Sequence, residues 1–250
     1  MHKRAADDAH EEPGAAPRGG AVDALRDAIA GRTARIRLRW FNRLTPVSDR
    51  WGYDRGLPVD RFYIADFLGR HRVDIRGHVL EIGDSNYTRH HGGGQVTRSD
   101  VLHVDGNEPG ATIVGDLADL PQIEDRSFDA IILTQTLHLI YDMAAAMRTV
   151  HRILRPGGVC LLTVPGITRI DRGRWGNSWF WSLTPASAER LAAEAFGQSQ
   201  VEVSSYGNVL SACAFLQGCA AEDVGVRRLT YHDPCFPVIV AVRATRAFAP

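Results

Sequence analysis

Apolar positions along the chain fall into short runs of two spacings, and the two kinds of run alternate from about residue 58 onward. Val79-Leu80-Glu81-Ile82 is an apolar run with Gly77 before it and Gly83 directly after it. That pattern predicts a buried parallel strand that turns at its carboxyl end. Strands are likewise predicted at Val101-Leu102-His103-Val104-Asp105, Thr112 to Leu117, Phe128 to Thr134, Val159 to Val164, Val201 to Ser205 and Pro237 to Ala244. Helical spacing links Phe62, Ile64, Ala65, Phe67 and Leu68 in a segment opened by Pro58 and running to about His71. It recurs through Met143, Met147, Val150, Ile153 and Leu154, and from Pro185 to about Phe196 with Thr184 as the N-cap. A last apolar helix is read around Val209 to Ala221. One interval breaks the alternation: residues 92–100 hold three consecutive glycines and little apolar content, so the helix expected after the first strand is short or displaced. Strands alternating with helices predict an open α/β sheet, in which ligands bind outside the carboxyl ends of the strands.

Two regions lie outside this alternation. Residues 1–20 mix charges, prolines and glycines and are read as a tail, and 21–57 as a helical extension and loop ahead of a domain over 58–250. Val22 to Leu44 has helical apolar spacing interleaved with arginines, a face expected to pack on its own domain or on a dimer mate. The loop after it gathers Trp51, Tyr53, Asp54 and Arg55. Gly166 to Leu183 is far longer than a minimal α/β connection and contains Trp175, Asn177, Trp179, Phe180 and Trp181, which reads as a substrate loop or lid.

Composition narrows the function classes. Lys+Arg and Asp+Glu both number 29 in 250 residues, so net charge gives no reason to expect nucleic acid or an anionic membrane as the main partner. Cys160, Cys213, Cys219 and Cys235 show no paired zinc-type spacing, so no metal is expected and the thiols fit a reducing, cytoplasmic setting. No apolar run reaches membrane-spanning length.

Candidate chemistry collects at the predicted strand ends. Asp105 follows Gly83 at about the 20-residue spacing expected of a ribose-binding acid after a glycine turn. The third strand also ends in an acid, Asp116, followed by Leu117, and the fourth is followed by Gln135 and His138. A dinucleotide is disfavoured, because close backbone approach to a pyrophosphate needs the G-x-G-x-x-G glycines that this chain lacks.

From roughly residue 58 to 244 these motifs, in this order, resemble a class I S-adenosylmethionine-dependent methyltransferase. Glu81-Ile82-Gly83 resembles that family's first motif, Asp105 its ribose acid, Asp116-Leu117 its adenine-side pair, Phe128 to Ile132 its fourth strand, and Leu154-Arg155-Pro156-Gly157-Gly158 the turn before its fifth. More narrowly, Tyr53-Asp54-Arg55-Gly56, Glu81-Ile82-Gly83-Asp84 and Ser205 to Leu210 resemble methyltransferase-like proteins found beside glycosyltransferases in bacterial polysaccharide and natural-product pathways. The resemblance implies a Rossmann-like, doubly wound, mostly parallel seven-stranded sheet with an antiparallel edge strand. It also implies S-adenosylmethionine as cofactor, held by Glu81, Gly83, Asp84, Ser85, Asp105, Gly106, Asp116, Leu117 and Gln135. A small-molecule acceptor, a glycoside among the candidates, would meet Tyr53, Arg55, Trp175, Trp179 and Asn208, with His138 as the base for O-methylation and a homodimer among the assembly states. One departure stands out. Where the family usually continues with further glycines, this chain has Asp84, Ser85, Asn86 and Tyr87. That motivates the alternative of a methyltransferase fold that is non-catalytic or turned to lyase, cyclase or isomerase chemistry.

Overall fold

Pro58, whose ring fixes a backbone angle suited to a helix entry, opens α1 (Val59–Arg70). A computed structural model describes residues 43–248, so the tail read over residues 1–20 and nearly all of the helix expected from Val22 lie outside the described residues. The chain divides into Met1–Thr45 and Pro46–Pro250, and the elements below belong to the second unit. After α1 come β1 (Gly77–Ile82), a π-helical turn (Thr88–Gly92), β2 (Val96–His103), β3 (Ile113–Val114) and β4 (Phe128–Thr134). The chain continues through α2 (Met143–Ile153), β5 (Leu154–Pro165), α3 (Pro185–Phe196), β6 (Val201–Tyr206), α4 (Val209–Leu216), the short α5 (Ala221–Val224) and α6 (Val226–Leu229), and β7 (Ile239–Thr245).

The seven strands form one sheet in the order β3-β2-β1-β4-β5-β7-β6. β1 to β5 run parallel, while β7 is antiparallel to both neighbours and inserts between β5 and the outermost strand, β6. Strand order reverses direction between β1 and β4. That topological switch point leaves a crevice outside their carboxyl ends, where ligands of open α/β sheets bind.

Both faces of the sheet are covered, which explains the near-continuous apolar runs. On one face Leu80, Ile131, Leu133 and Leu162 pack with Met147 and Val150 of α2 and Ala188, Ala192 and Phe196 of α3. On the other, Val79, Ala130, Ile132 and Leu161 meet Ile64, Phe67 and Leu68 of α1 and Ala212 and Phe215 of α4. Complete burial of Ile64, Phe67 and Leu68 stabilises the docked helix by roughly 1.5–3 kcal/mol per side chain. That far exceeds the roughly 0–1 kcal/mol of an exposed ion pair, so apolar docking fixes where the first turn of α1 sits.

Local chemistry sets the helix ends. Thr184 and Ser187 cap α3 reciprocally, Asp142 accepts the Ala145 N–H at the start of α2, and Asn208 caps α4. The apolar helix expected from Val209 to Ala221 stops at Leu216, because Gly218 takes φ +69° and a Cβ there would stand 2.2 Å from the Ser48 carbonyl oxygen. The missing helix after β1 is the π-helical turn followed by a single 3-10 turn at Gly93–Gln95. Two strands are longer than expected: β2 starts at Val96, and β5 absorbs Arg155-Pro156-Gly157-Gly158, where the pairing with β4 shifts register. Among the described residues, no helix is long and apolar enough to cross a membrane.

Candidate functional site

At the end of β1, Gly83 has φ +99°, a conformation costly to any side chain, and its N–H donates to the Leu102 carbonyl at 2.9 Å. Where a Cβ would stand, no heavy atom lies within 4 Å, so the turn presents bare backbone to open space. Below it, Glu81 is only 1% exposed and accepts from the Tyr87 N–H (3.1 Å), the Thr88 N–H (2.7 Å) and the Thr88 hydroxyl (2.7 Å). Burial pushes this carboxyl up to about 7; the three donors oppose the shift and Asp84 adds to it. Glu81 thus ties the strand end to the first residues of the π-helical turn. π-turns are rare in proteins and frequent at functional sites. Asp84 accepts from the Asn86 N–H (2.8 Å) and Nδ2 (2.6 Å), and Asn86 Oδ1 accepts from Arg89. The half-buried Ser85 lies in the same turn, and its carbonyl accepts from the Arg89 N–H at 3.0 Å.

Asp105 lies just beyond β2 on the same sheet edge. Its Oδ1 accepts from the Asn107 N–H at 3.0 Å, a bond that leads the causes holding its carboxyl below the usual carboxylate range. Its Oδ2 meets Arg174 of the long loop at 2.9 Å, and the same guanidinium reaches Glu108 at 3.2 Å and lies over the Trp175 ring at 4.7 Å. The Asn107 Nδ2 also donates to Oδ1 at 3.2 Å, and since a carboxylate offers about four lone-pair directions, Asp105 keeps acceptor capacity for one further hydroxyl. Gly106 follows it; a Cβ there would stand 3.7 Å from Val114 of β3. Asp116 accepts the Ala118 N–H at 2.9 Å in an exposed turn, whereas Leu117 is buried in the core. Gln135, at the end of β4, has φ +47°, uncommon without glycine, and is held there by donation from its N–H to the Thr163 carbonyl at 2.8 Å.

A second cluster lies behind this edge. His138 is 1% exposed, and neither ring nitrogen has a hydrogen-bond partner among the described residues. Burial, then the nearby Arg61 charge, lower its pKa to about 4, so the imidazole is neutral at physiological pH. Trp179 stands edge-on to it at 4.5 Å, its own indole nitrogen buried and unpartnered, and stacks on Trp51 at 5.6 Å. The loop is fastened here, since the Phe180 and Trp181 N–H groups both donate to the His138 carbonyl, at 3.2 and 3.3 Å. Arg61 of α1 donates to the Tyr53 hydroxyl at 2.9 Å and, more weakly, to the Tyr87 hydroxyl at 3.4 Å.

Other residues expected at a site have their polar atoms taken up elsewhere. Arg55 forms a two-pronged pair with Asp223 at 2.8 and 2.6 Å. Asn208 caps α4 through Oδ1 and donates both Nδ2 protons, to the Arg228 and Tyr231 carbonyls. From the sequence Arg61 is expected to reach over the end of the strand, whereas Asp60 and Arg174 are not marked for this edge. A signal existed for Asp60: an acid beside an arginine in the opening turn of the helix that precedes the central strand. Among the described residues, no three His, Cys, Asp or Glu side chains gather as a metal would need.

A family profile described as a methyltransferase domain matches residues 85–162, from the turn after β1 into β5. Over that stretch the chain is similar to methyltransferase domains. A Mycolicibacterium smegmatis protein named "Probable S-adenosylmethionine-dependent methyltransferase" is 29% identical over 112 residues, which is 45% of this chain and 37% of that protein, so the chain spans little more than a third of that relative. Among solved structures sharing the fold, the [4+2]-cyclase SpnF superposes with TM-score 0.52 at 17% identity, covering 78% of this chain and 85% of the cyclase. A SAM-dependent methyltransferase from Archaeoglobus fulgidus gives 0.50 at 11% identity, covering 74% and 94%.

Proposed function

We propose that the chain binds S-adenosylmethionine at the carboxyl ends of β1, β2 and β4 and transfers its methyl group to an oxygen of a small polar or glycosylated metabolite. The residues present fit the cofactor: Gly83 offers open backbone, Asp105 retains acceptor capacity for a ribose hydroxyl, and Glu81 holds the intervening turn rigid. When bound, S-adenosylmethionine supplies an electrophilic methyl group on a cationic sulfur. Asp105 and Asp84 make this edge tolerant of that charge.

The observation that carries the reading is His138, buried among aromatic rings with both nitrogens unpartnered. Such a group costs free energy unless a ligand completes it. A neutral imidazole can take the proton of an acceptor hydroxyl, and a positioned base typically contributes about 10²–10⁴-fold in rate. Trp179 and Trp51 would shield that proton transfer from water, and Arg174 with Trp175 would close the loop over the ribose side. Binding of S-adenosylhomocysteine measured by calorimetry, lost in Asp105→Ala, together with product mass increased by one methyl group on candidate acceptors, tests this reading. No binding to well-folded protein would refute it.

The fold shared with a [4+2]-cyclase and the glycine-poor turn Asp84 to Tyr87 favour one second reading, in which the same pocket promotes cyclisation or isomerisation. Product mass separates the two, since rearrangement leaves it unchanged.

A further inference from the structure

An acidic and a basic side chain in the first turn of α1 stand next to one another without completing each other; burial raises the Asp60 carboxyl and the Arg61 charge opposes that shift. Asp60 is 8% exposed, and its Oδ1 is buried with no hydrogen-bond partner among the described residues. Its Oδ2 lies 3.7 Å from the Arg61 Nε, too long for a hydrogen bond. Arg61 spends Nε on the Tyr53 hydroxyl and Nη1 on the distant Tyr87 hydroxyl, and Nη2 has no hydrogen bond among the described residues. An unsatisfied buried carboxyl beside a guanidinium with spare donors is costly in an apolar setting. A ligand that brings an anionic and a cationic group on adjacent atoms removes both deficits at once.

We propose that Asp60 and Arg61 form a receptor for an α-amino-acid zwitterion, the carboxylate resting on the free guanidinium donors and the ammonium on the Asp60 carboxylate. The inference rests on the cofactor reading above, because S-adenosylmethionine ends in such a group. Placement supports it. Tyr87 belongs to the turn that follows Gly83, and its contact with Arg61 puts the guanidinium beside the stretch where this chain has side chains in place of glycines. Planar, fixed donors of arginine suit a carboxylate better than a lysine would. α1 is held by its buried apolar face, so both side chains are presented from a fixed backbone.

The test is calorimetric and uses the full chain with three ligands. S-adenosylhomocysteine carries the zwitterion, its decarboxylated analogue lacks only the carboxylate, and 5′-methylthioadenosine lacks the whole amino-acid tail. Wild type is expected to bind S-adenosylhomocysteine at least about 30-fold more tightly than either truncated ligand, the scale of losing a buried charge-assisted contact. Arg61→Met should erase the preference for the carboxylate, making the first two ligands bind alike. Asp60→Asn should weaken both amine-bearing ligands about 10-fold and leave 5′-methylthioadenosine unaffected. The wild-type ligand series stands even if a variant fails to fold. Equal affinity of the three ligands for wild type, or variants that keep the wild-type preference, would overturn the receptor while leaving cofactor binding intact. No affinity of folded wild type for S-adenosylhomocysteine would overturn both.

Discussion

Glu81→Gln is the substitution that separates a carboxylate serving as a backbone clamp from one that merely fills the end of β1. Glu81 receives three donors through two oxygens. Glutamine has a single acceptor oxygen, and turning it toward Thr88 leaves its amide facing the Tyr87 N–H, a donor against a donor, at a cost of about 1–3 kcal/mol. The second component is titration. The folded-state pKa of about 7 lies above the ordinary 4.5, so the folded chain binds this proton more tightly than the unfolded one. The contribution is therefore full below the unfolded value and is lost as pH rises through the folded one. Between about pH 5 and about pH 8 the loss comes to about 2.5 kcal/mol. The variant lacks this titration, and the pH dependence of independent groups elsewhere cancels in the difference between the two proteins. Thermal melts of wild type and Glu81→Gln across that range should therefore diverge most at the acid end. The deficit of the variant at about pH 5 should exceed that at about pH 8 by about 5–10 °C, at about 2–4 °C per kcal/mol for a domain of this size. A deficit independent of pH, or one that grows toward alkaline pH, would refute the reasoning, and an unchanged melting temperature would remove the clamp altogether.

Asn208→Ala loses a helix cap and two bonds to carbonyls, so it should be destabilised by about 2–4 kcal/mol, read as a lower melting temperature. Its affinity for S-adenosylhomocysteine per folded molecule should be unchanged, and weakened binding would give Asn208 a place in the site. Arg174→Ala breaks exposed ion pairs and should cost less than about 1 kcal/mol. Stopped-flow dissociation of S-adenosylhomocysteine should nevertheless accelerate several-fold, and an unaltered rate would show that the loop does not close over the ribose side. His138→Phe should reduce methyl transfer by about 10²–10⁴-fold with cofactor affinity unchanged. Because the His138 pKa lies near 4, below the ordinary 6.5, wild-type turnover should show no acid limb centred near 6.5, and one centred there that vanishes in the variant would contradict the buried, neutral imidazole. The stability contributed by that neutral form is lost as pH falls from 6.5 toward 4, opposite in sense to Glu81.

The apolar pattern alone locates β4 at Phe128–Thr134 and α3 at Pro185–Phe196, because both are bounded by local chemistry: an acidic loop before the strand, and a Thr-Pro cap at the helix. It misses the first half of β2. Arg98 and Ser99 pair with His78 and Val79 of β1 through backbone while their side chains face solvent, and hydrophobic patterning carries no record of such pairing. The same holds for Arg155 to Gly158, where glycines and a proline read as a turn. Gly157 and Gly158 exchange hydrogen bonds with Arg246, a partner nearly ninety positions away in sequence (Gly157 N–H to Arg246 O, 2.7 Å).

The candidate site divides along the same line. Glu81, Gly83 and Asp105 can be placed from the sequence because each sits at its own strand end, at spacings imposed by the β-turn-β unit. Asp60, Arg61 and Arg174 act across elements, and only folding brings α1 and the loop after β5 to that edge. The departure from a glycine-rich turn after Gly83 then acquires a physical reading. Asp84 and Asn86 bind one another, Glu81 grips the next two amides, and Tyr87 reaches sideways to Arg61. A turn built from side-chain hydrogen bonds is stiffer than one built from glycine, and beyond Gly83 the amides of Asn86, Tyr87 and Thr88 are already taken within it. Recognition of an amino-acid tail passes to the helix before β1, whose first turn holds the two incompletely bonded side chains. An anion on Arg61 would also cancel the positive field that helps depress His138. Filling the zwitterion receptor and strengthening the base are thus consequences of the same guanidinium.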